Sequence, residues 1–404
     1  MRKPVALFST ILFCTSLQLC SLSYAEQAPS KRAIDLVTNS IIVDGHIDVP
    51  YRVHETWEDV TESTDSGDFD YPRAKAGGLN APFMSIYIPA KFDDSDESTA
   101  HAHRMIDYVE ALVGRSPDKF AIATSPEEVK SQFAAGLISL PLGMENGSPI
   151  QGDLEKLAMF HQRGIRYITL THAKSNHISD SSYDDNKQWD GLSPFGEKMV
   201  AEMNRLGIMV DISHVSDAAF YDALEISTAP MIASHSSLRK FTPDFERNMT
   251  DDMVKGLAKQ GGVIMINFGS TFLTAEARQW SDTRSLAKEK LEEKFGKDSA
   301  EVEAFTDGYR KDHPLPFAKL EDVLDHIDHV VALVGVDHVG LGSDFDGVGD
   351  SLPTDIKSVS DYPKLVQGLI DRDYNDQDIS KILGTNALRV WSAVENVAKN
   401  SAQQ

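Results

Sequence analysis

Eight short apolar runs, most of them separated by segments with helical periodicity, constrain the fold of this 404-residue chain more than any other feature. Apolar runs without alternation are typical of strands that are covered on both faces of a parallel sheet. Eight such units fit a closed (β/α)₈ barrel of the TIM type better than an open doubly wound sheet, which is the alternative. The runs are Ile41–Val43, Phe83–Ile88, Leu137–Leu142, Ile165–Leu170, Ile208–Ile212, Pro230–Ala233, Gly262–Asn267 and Val339–Gly342.

Polar residues and glycines mark the ends of the intervening helices. Asp153 is expected to cap a helix that ends before Gly164, and Thr250 one that ends at Gly261. A third helix is expected to start at Ser216. Short polar side chains accept hydrogen bonds from the free N–H groups at a helix start, and glycine readily adopts the left-handed conformation at its end.

The segment from Thr271 to Lys319 interrupts the alternation between the seventh and eighth strands. It contains the run Ala-Lys-Glu-Lys-Leu-Glu-Glu-Lys, which is typical of a charged helix on the surface. Loops that follow the strands of a barrel border its active site. The insertion is therefore either a lid over the site or a surface addition, and the sequence leaves both open.

Residues 1–25 have the pattern of a secretory signal peptide, with a positive start, an apolar stretch and small residues before the cleavage position. Cleavage after Ala25 would leave residues 26–404 as a single barrel domain. A lipoprotein signal at Cys20 is the alternative, although bulky Leu19 stands where such processing prefers a small residue. A retained anchor fits less well, because the apolar stretch is shorter than the ~20 residues that a membrane span needs.

The cysteine content and the net charge limit which metal ligands and which binding partners are expected for the mature chain. Both cysteines, Cys14 and Cys20, lie inside the predicted signal, so a metal site would be built from histidines and carboxylates. Losing Arg2 and Lys3 changes the net charge from −23 to −25, which argues against nucleic acid and anionic membranes as partners. The polar C-terminal residues predict no lipid anchor there.

Ionisable side chains follow nearly every predicted strand. The carboxyl ends of parallel strands meet at one face of a barrel, so these side chains are expected to converge. Burying so many polar groups without a metal or a substrate would be costly. They are His46 and Asp48 after the first strand, Glu145 after the third, His172 after the fourth, His214 after the fifth, His235 after the sixth and Asp344 after the eighth.

This set of side chains points to metal chemistry. Histidines with carboxylates, and no thiolate, are ligands typical of zinc or a similar divalent ion. A carboxylate can bridge two metals, and two metals can activate one water. The residues therefore indicate two-metal hydrolysis of an acyl or amide bond, with Glu145 or Asp48 as the bridge.

A series of motifs resembles those of one known family in order and spacing. The motifs are Val43-Asp-Gly-His-Ile-Asp, Ala76-Gly-Gly, Gly143-Met-Glu-Asn-Gly, Tyr167-Ile-Thr-Leu-Thr-His, Ser234-His-Ser-Ser, Gly342-Ser-Asp-Phe-Asp-Gly-Val and Asn386-Ala-Leu-Arg-Val-Trp. They are similar to those of the membrane (renal) dipeptidases, which are zinc peptidases of the amidohydrolase superfamily. The resemblance extends over nearly the whole mature chain.

The resemblance implies a role for each metal ligand. His46 and Asp48 would hold one zinc ion, and His214 and His235 the other. Glu145 would bridge the pair, and a hydroxide between the two metals would attack the scissile carbonyl group.

It also implies how a dipeptide would be bound and cleaved. His172 would bind the substrate and stabilise the oxyanion of the tetrahedral intermediate. Asp344 would contact the substrate, take the proton of the attacking water and pass it to the leaving amine. Arg247 would grip the substrate carboxylate, a task that suits its planar fork. Substrates would be L,L and also L,D dipeptides, and the enzyme would be a homodimer.

Two glycosylation sequons bear on the compartment. Asn146 and Asn248 each begin an Asn-x-Ser/Thr sequence beside a residue of the expected site. A glycan there would block the site, so a bacterial periplasmic or secreted setting is favoured over a eukaryotic one.

Alternatives remain for the function and for other polar residues. The chain could instead be another amidohydrolase, such as a deacylase of N-acyl amino acids, or a non-catalytic homologue that binds metal or peptide. Asp211 and Asp346 are candidates for orienting ligands. His101 and His103 begin a helix rather than end a strand, and His326 lies within a helix, so structural roles are expected for these three.

Overall fold

A computed structural model describes residues 28–402 of the chain. Eight parallel strands close into a barrel, and two further strands pair beside it. The (β/α)₈ prediction is thus confirmed, and the open-sheet alternative is wrong. The strands are β1 (Ile42–Ile47), β2 (Leu79–Tyr87), β3 (Phe120–Ile122), β4 (Ile138–Leu140), β5 (Leu142–Glu145), β6 (Ile165–Thr169), β7 (Met209–Asp211), β8 (Ile232–Ser236), β9 (Val263–Ile266) and β10 (Val339–Leu341).

The first and last strands close the barrel, whose order is β1-β10-β9-β8-β7-β6-β5-β2. Strand β1 pairs in parallel with β2 on one side and with β10 on the other, where Asp44 lies opposite Leu341. All eight carboxyl ends therefore meet on one face, which is where active sites lie in barrels of this type.

The third predicted strand, Leu137–Leu142, is two strands in the structure. Strand β4 pairs with β3 in the separate two-stranded sheet, whereas β5 enters the barrel between β2 and β6. Pro141 stands between them, and proline has no N–H for a ladder hydrogen bond. Its carbonyl oxygen instead accepts a 2.8 Å hydrogen bond from the Met84 N–H. The break makes Glu145 the last residue of a barrel strand.

Helices follow most strands and cover the barrel. The α-helices are α1 (Lys31–Asn39), α2 (Val49–Glu55), α3 (Tyr71–Gly77), α4 (Glu97–Arg115), α5 (Pro126–Ala134), α6 (Glu155–Gln162), α7 (Pro194–Leu206), α8 (Asp217–Ile226), α9 (Asp251–Lys259), α10 (Ser270–Leu273), α11 (Ala275–Phe295), α12 (Ala300–Asp312), α13 (Leu320–Val334), α14 (Tyr362–Asp371), α15 (Asp376–Ser380) and α16 (Asn386–Ser401). A π-helical turn spans Lys381–Thr385, and 3₁₀ turns span Ala90–Phe92, Ser148–Ile150, Val336–His338 and Val359–Asp361.

Two of the three predicted caps are confirmed. The side chain of Ser216 accepts from the Ala219 N–H at the start of α8, and Thr250 does the same for Met253 at the start of α9. The prediction for Asp153 is wrong in register: α6 begins at Glu155, and Asp153 accepts a 2.9 Å hydrogen bond from the Glu155 N–H before the helix starts.

Alternate residues of the strands enter two apolar clusters, one between the strands and the surrounding helices and one inside the barrel. The inner cluster includes Phe83, Tyr167 and Trp391, which is supplied by α16. Phe83 contacts both other rings, with centroids 5.2 Å from Tyr167 and 5.4 Å from Trp391. This apolar filling leaves the carboxyl end of the barrel for polar side chains.

The insertion after the seventh barrel strand is helical, as predicted. It contains α10, α11 and α12, and the last two bury only one residue each, Ala277 and Val302. Between residues 28 and 402, no helix is both long and apolar enough to cross a membrane. The predicted signal peptide, residues 1–25, lies outside the described residues.

Candidate active site

The structure brings the seven predicted site residues together at the carboxyl end of the barrel. All are buried except His172, whose side chain is 20% exposed at the edge of a cavity. His46 lies in β1 with Asp48 directly after it, Glu145 ends β5, His172 follows β6, His214 follows β7, His235 lies in β8 and Asp344 follows β10.

The carboxylate of Glu145 lies at the centre of this cluster. Its Oε1 is 3.1 Å from His214 Nε2 and 3.3 Å from His235 Nε2. The same oxygen is 3.6 Å from His172 Nε2. Its other oxygen, Oε2, is 3.4 Å from His46 Nε2. The two oxygens of one carboxylate thus face two different sets of ring nitrogens.

The donor set fits divalent metal ions. His46 Nε2 is buried without a hydrogen-bond partner, and it lies 3.4 Å from Asp48 Oδ2. The Nε2 atoms of His214 and His235 are only 2.8 Å apart, so two lone pairs can face each other there only with a cation between them, and otherwise one nitrogen donates a hydrogen bond to the other. Three sets of residues could each hold a metal ion, because the ligand atoms within each set lie within 4.8 Å of one another. The sets are His46, Glu145 and His235; Glu145, His172 and His214; and His46, Asp48 and Asp344.

Burial favours the neutral form of two of the three predicted histidine ligands, His214 and His235, whereas for His46 the charges of neighbouring groups outweigh burial and raise the pKa. Burial lowers the pKa of His214 well below its ordinary value, and the positive charge of Arg247 lowers it further. Burial likewise lowers the pKa of His235, with His46 and Arg247 adding to the effect. Because metal ligation needs an unprotonated ring nitrogen, these shifts prepare both side chains to bind a cation.

Asp344 has a different environment from the other carboxylates. Burial raises its pKa to about 7, and the negative charges of Asp48 and Glu145 add to this. Its backbone has a φ of 62°, in the left-handed region, as does that of His214 with a φ of 69°. Residues with a strained backbone conformation are common at functional sites, where contacts with the surrounding structure offset the cost in free energy.

The loop after β10 leaves no room for a side chain at Gly347. A Cβ atom built there would lie 2.2 Å from Asp344 Oδ1 and 2.2 Å from Asp48 Oδ2. Both distances are far below van der Waals contact, so the loop approaches the two carboxylates as closely as it does only because residue 347 is glycine.

Arg247, the predicted carboxylate-binding residue, is buried beside the cluster. One terminal nitrogen donates to Ser236 Oγ at 2.6 Å and the other to the His235 carbonyl at 2.7 Å. The guanidinium carbon lies 5.4 Å from the centre of the Phe272 ring. Its Nε has no hydrogen-bond partner. Since a guanidinium has five N–H donors, several remain for a ligand.

A cavity of about 590 Å³ opens beside the cluster. Tyr51, Tyr87 and Tyr183 form aromatic walls, and Thr271 and Phe272 come from the insertion. Phe272 is held in place, because its carbonyl oxygen accepts a 2.8 Å hydrogen bond from Asn248. The first residues of the insertion are thus part of the cavity wall, whereas α11 and α12 extend away from the core.

Three supporting contacts were missed by the sequence analysis. Tyr167 Oη lies 2.7 Å from His46 Nδ1 inside the barrel. Asn267 donates to Asp344, and Asp44 accepts from the backbone N–H groups of His46 and Ser343 at 3.1 and 2.9 Å. In the sequence, a polar residue within an apolar strand could have indicated such contacts, because a buried tyrosine or aspartate needs a hydrogen-bond partner.

The two predicted orienting residues have different roles. Asp211 is buried under the site and accepts from the N–H groups of Ser213 and Ser234. Asp346 instead ties the loop after β10 to another loop: its carboxylate accepts from the Asp68 N–H at 2.6 Å, and its own N–H donates to Asp68 at 2.8 Å.

The histidines that were interpreted as structural make other contacts. His101 packs in an aromatic cluster, with its ring 5.3 Å from that of His54, and His103 lies on Phe160 at 5.2 Å. His326 is fully buried. The two sequon residues, Asn146 and Asn248, are also buried, with both side chains in hydrogen bonds.

A closed barrel whose carboxyl end carries a compact set of histidines and carboxylates defines the class of metal-dependent hydrolases with a TIM-type fold. The sequence model of the membrane dipeptidase family, peptidase family M19, matches residues 30–404. The chain belongs to this family, as its motifs predicted, and is therefore a hydrolase that acts on dipeptides.

Individual relatives agree with this assignment. The dipeptidase aclJ of Aspergillus oryzae is 33% identical over 381 residues, which cover 91% of this chain and 81% of that protein. The structure of the probable dipeptidase PvdM from Pseudomonas aeruginosa is similar with a TM-score of 0.80 and 27% identity, covering 91% of this chain and 98% of that one. A metallopeptidase from Rhodobacter sphaeroides, solved with a phosphinate mimic of the dipeptide L-Ala-D-Ala, has a TM-score of 0.72 and 25% identity, covering 88% of this chain and 100% of that one.

Proposed function

We propose that this protein is a binuclear zinc dipeptidase that hydrolyses L-Xaa-L-Xaa and L-Xaa-D-Xaa dipeptides. The observation that carries the proposal is the central position of Glu145, one oxygen of which faces His46 while the other faces His214 and His235. In this arrangement His46 and Asp48 would hold one ion, His214 and His235 would hold the other, and Glu145 would be shared between them. When bound, the two zinc ions supply Lewis-acid activation of a water and polarise the scissile carbonyl group.

The chain's own residues provide the proton transfers. Asp344 accepts a proton from the nucleophilic water and donates it to the leaving amine. In the metal-free protein, burial and repulsion by Asp48 and Glu145 raise the pKa of Asp344 to about 7, and a carboxyl group that titrates near neutral pH can both accept and release a proton. The hydrogen bond from Asn267 holds the carboxyl group in one orientation.

Two further residues act on the substrate directly. His172 lies at the cavity edge beside Glu145, and burial lowers the pKa of its ring. A neutral imidazole still has one N–H, which can stabilise the oxyanion of the tetrahedral intermediate. Arg247 binds the substrate carboxylate through the donors that Ser236 and the His235 carbonyl leave free.

The proposed substrate class includes a D residue on the C-terminal side. The related metallopeptidase from Rhodobacter sphaeroides was solved with a mimic of L-Ala-D-Ala. The cavity of about 590 Å³ has room for a molecule of this size and for side chains larger than alanine. Export to the periplasm or the medium and a homodimeric assembly remain predictions that accompany this proposal.

The proposal is tested by assaying the zinc-loaded protein, without residues 1–25, against a panel of dipeptides. L-Ala-L-Ala, L-Ala-D-Ala and their N-acetylated versions are compared before and after chelation, and the bound zinc is counted by elemental analysis. We expect two zinc ions per chain and chelator-sensitive cleavage of the free dipeptides, restored by added zinc.

Other outcomes would redirect the assignment. Cleavage of only the acetylated compounds would indicate a deacylase of N-acyl amino acids. Two bound metals without cleavage of any compound would indicate a non-catalytic homologue.

A further inference from the structure

The carboxylate of Asp211, at the end of β7, is fully buried and accepts four hydrogen bonds. Its Oδ1 accepts from the backbone N–H groups of Ser213 at 3.1 Å and Ser234 at 2.8 Å. Its Oδ2 accepts from the hydroxyl groups of Thr169 at 2.5 Å and Ser234 at 2.6 Å. Donors from β6, β8 and the residues just after β7 thus occupy both oxygens of one carboxylate as hydrogen-bond acceptors.

The Ser234 hydroxyl lies between this carboxylate and a predicted metal ligand. Its oxygen is 2.6 Å from Asp211 Oδ2 and 2.7 Å from His235 Nδ1. A hydroxyl group has one proton to donate, and both oxygens of Asp211 act as acceptors in this arrangement. The proton of Ser234 therefore points to Asp211, because otherwise two oxygen lone pairs would face each other at 2.6 Å.

It follows that Ser234 is the acceptor in its contact with His235. The Nδ1 atom of His235 must then carry a proton, and its Nε2 presents a bare lone pair. That Nε2 lies 3.3 Å from Glu145 Oε1 and 2.8 Å from His214 Nε2, at the centre of the cluster.

We propose that Asp211 and Ser234 form a relay that fixes the protonation of His235 at Nδ1 and makes its Nε2 a stronger metal ligand. The inference rests on the proposed function, since it assigns a cation to the His214 and His235 side of the cluster. Asp211 and Ser234 are positioning residues, because they act through His235. A carboxylate that polarises a ligating imidazole in this way typically raises metal affinity.

The relay distinguishes His235 from the other two histidine ligands. The Nδ1 of His46 contacts the Tyr167 hydroxyl rather than a carboxylate-bound serine. The Nδ1 of His214 is buried and has no hydrogen-bond partner. The effect of breaking the relay should therefore be confined to the ion that His235 holds.

The barrel provides a matched control where β10 pairs with β1. Ser343, just after β10, donates its hydroxyl proton to the buried carboxylate of Asp44 at 2.5 Å, and Asp44 also accepts from the Ser343 N–H at 2.9 Å. The pair repeats the bonds between Ser234 and Asp211 but lacks a histidine ring on the serine oxygen. Ser343→Ala therefore removes an equivalent buried hydrogen bond without touching the His235 ring, although Asp44 also accepts from the His46 backbone N–H at 3.1 Å, so the ion on the His235 side is the one compared.

The experiment compares Ser234→Ala, Asp211→Asn and Ser343→Ala with the wild-type protein. Each is loaded with zinc and dialysed against graded concentrations of a chelator, and the retained metal is counted. The thermal midpoint of each metal-free protein is measured in parallel. We expect Ser234→Ala and Asp211→Asn to weaken one of the two ions by ~10–100-fold, and Ser343→Ala to retain the wild-type affinity of that ion despite a similar loss of thermal stability.

Substitution with Co²⁺ adds a readout of the ligand field. Its absorption spectrum should change in Ser234→Ala at the weakened ion and stay as in wild type in Ser343→Ala. Wild-type affinity in both relay variants, or an equal loss in all three variants, would overturn the relay. A wild-type protein that binds no metal would overturn the proposed function instead, and this is seen before any variant is compared.

Discussion

Asn267 Nδ2 donates a 2.7 Å hydrogen bond to Asp344 Oδ2, joining the end of β9 to the loop after β10. The bond orients a carboxyl group that lines the cavity and whose pKa burial raises to about 7. An acid with this pKa exchanges protons readily near neutral pH. Asp344 is therefore the residue at which the proposed proton transfer can be tested separately from metal binding.

Asp344→Asn keeps the size of the side chain but removes its ability to accept a proton. We expect kcat for L-Ala-D-Ala to fall by ~10²–10⁴-fold, the usual contribution of a general acid or base. The zinc content should stay as in wild type, because Glu145 and the histidines are unchanged. A variant that keeps a tenth of the wild-type kcat, or that loses its zinc, would contradict this role.

Arg247→Ala should weaken the grip on the substrate carboxylate. Because a charge-assisted hydrogen bond contributes about 1.5–3 kcal/mol, KM for a free dipeptide should rise by ~10–100-fold. The substitution also removes bonds to Ser236 and His235, so the dipeptide amide serves as the control substrate. Wild type should discriminate against the amide, and Arg247→Ala should not; discrimination that persists in the variant would exclude a contact with the carboxylate.

Gly347→Ala should disturb the site without unfolding the barrel. The new Cβ would lie 2.2 Å from oxygens of both Asp48 and Asp344, so one carboxylate must move. We expect at least a ~10-fold loss of kcat/KM, since small displacements of catalytic groups are costly. Gly308→Ala, in α12, is the control, because nothing lies within 4 Å of its Cβ position. It should leave activity unchanged and stabilise the helix by ~0.5–1 kcal/mol.

His326 should make stability depend on pH. It is buried in α13, where Nδ1 accepts from the Leu238 N–H and Nε2 lies 3.1 Å from the Leu273 carbonyl oxygen. Burial lowers its pKa from 6.5 to about 4. Between these values the unfolded chain binds a proton that the folded chain excludes, so stability is complete above pH 6.5 and is lost as pH falls toward 4.

A glutamine can make both hydrogen bonds but does not titrate, so His326→Gln isolates this effect. The difference in pKa corresponds to about 3 kcal/mol at pH 4 relative to pH 7. Thermal midpoints between pH 4.5 and 7 should fall more steeply for wild type than for the variant. Parallel curves would show that His326 does not contribute to the acid sensitivity.

The barrel was predictable from the sequence because its strands are apolar on both faces and alternate with capped helices. The division at Pro141 was not, because the apolar run continues through the proline and only pairing partners separate β4 from β5. Strand β3 was missed for a similar reason, since three residues carry too little periodicity to be distinguished from a loop.

The convergence of the site was predictable for a topological reason: polar residues that follow parallel strands must meet at one end of a closed barrel. Which oxygen of Glu145 faces which histidine depends on strand register and side-chain rotamers, and neither can be obtained from one sequence. The contact between Ser234 and Asp211 joins neighbouring strands, so it becomes visible only when β7 and β8 are paired.

The insertion contacts the cavity only through its first residues, Thr271 and Phe272, while α11 and α12 remain outside the core. Most of these two helices can therefore change in length or sequence without altering the residues of the proposed site; Arg278 of α11 is an exception, because it lies 4.4 Å from the centre of the Phe245 ring, which packs on Phe272. A change at Phe272 would alter the shape of the cavity and the packing on Arg247 together. The insertion can therefore diverge at a different rate from the residues of the proposed active site, although both belong to one polypeptide.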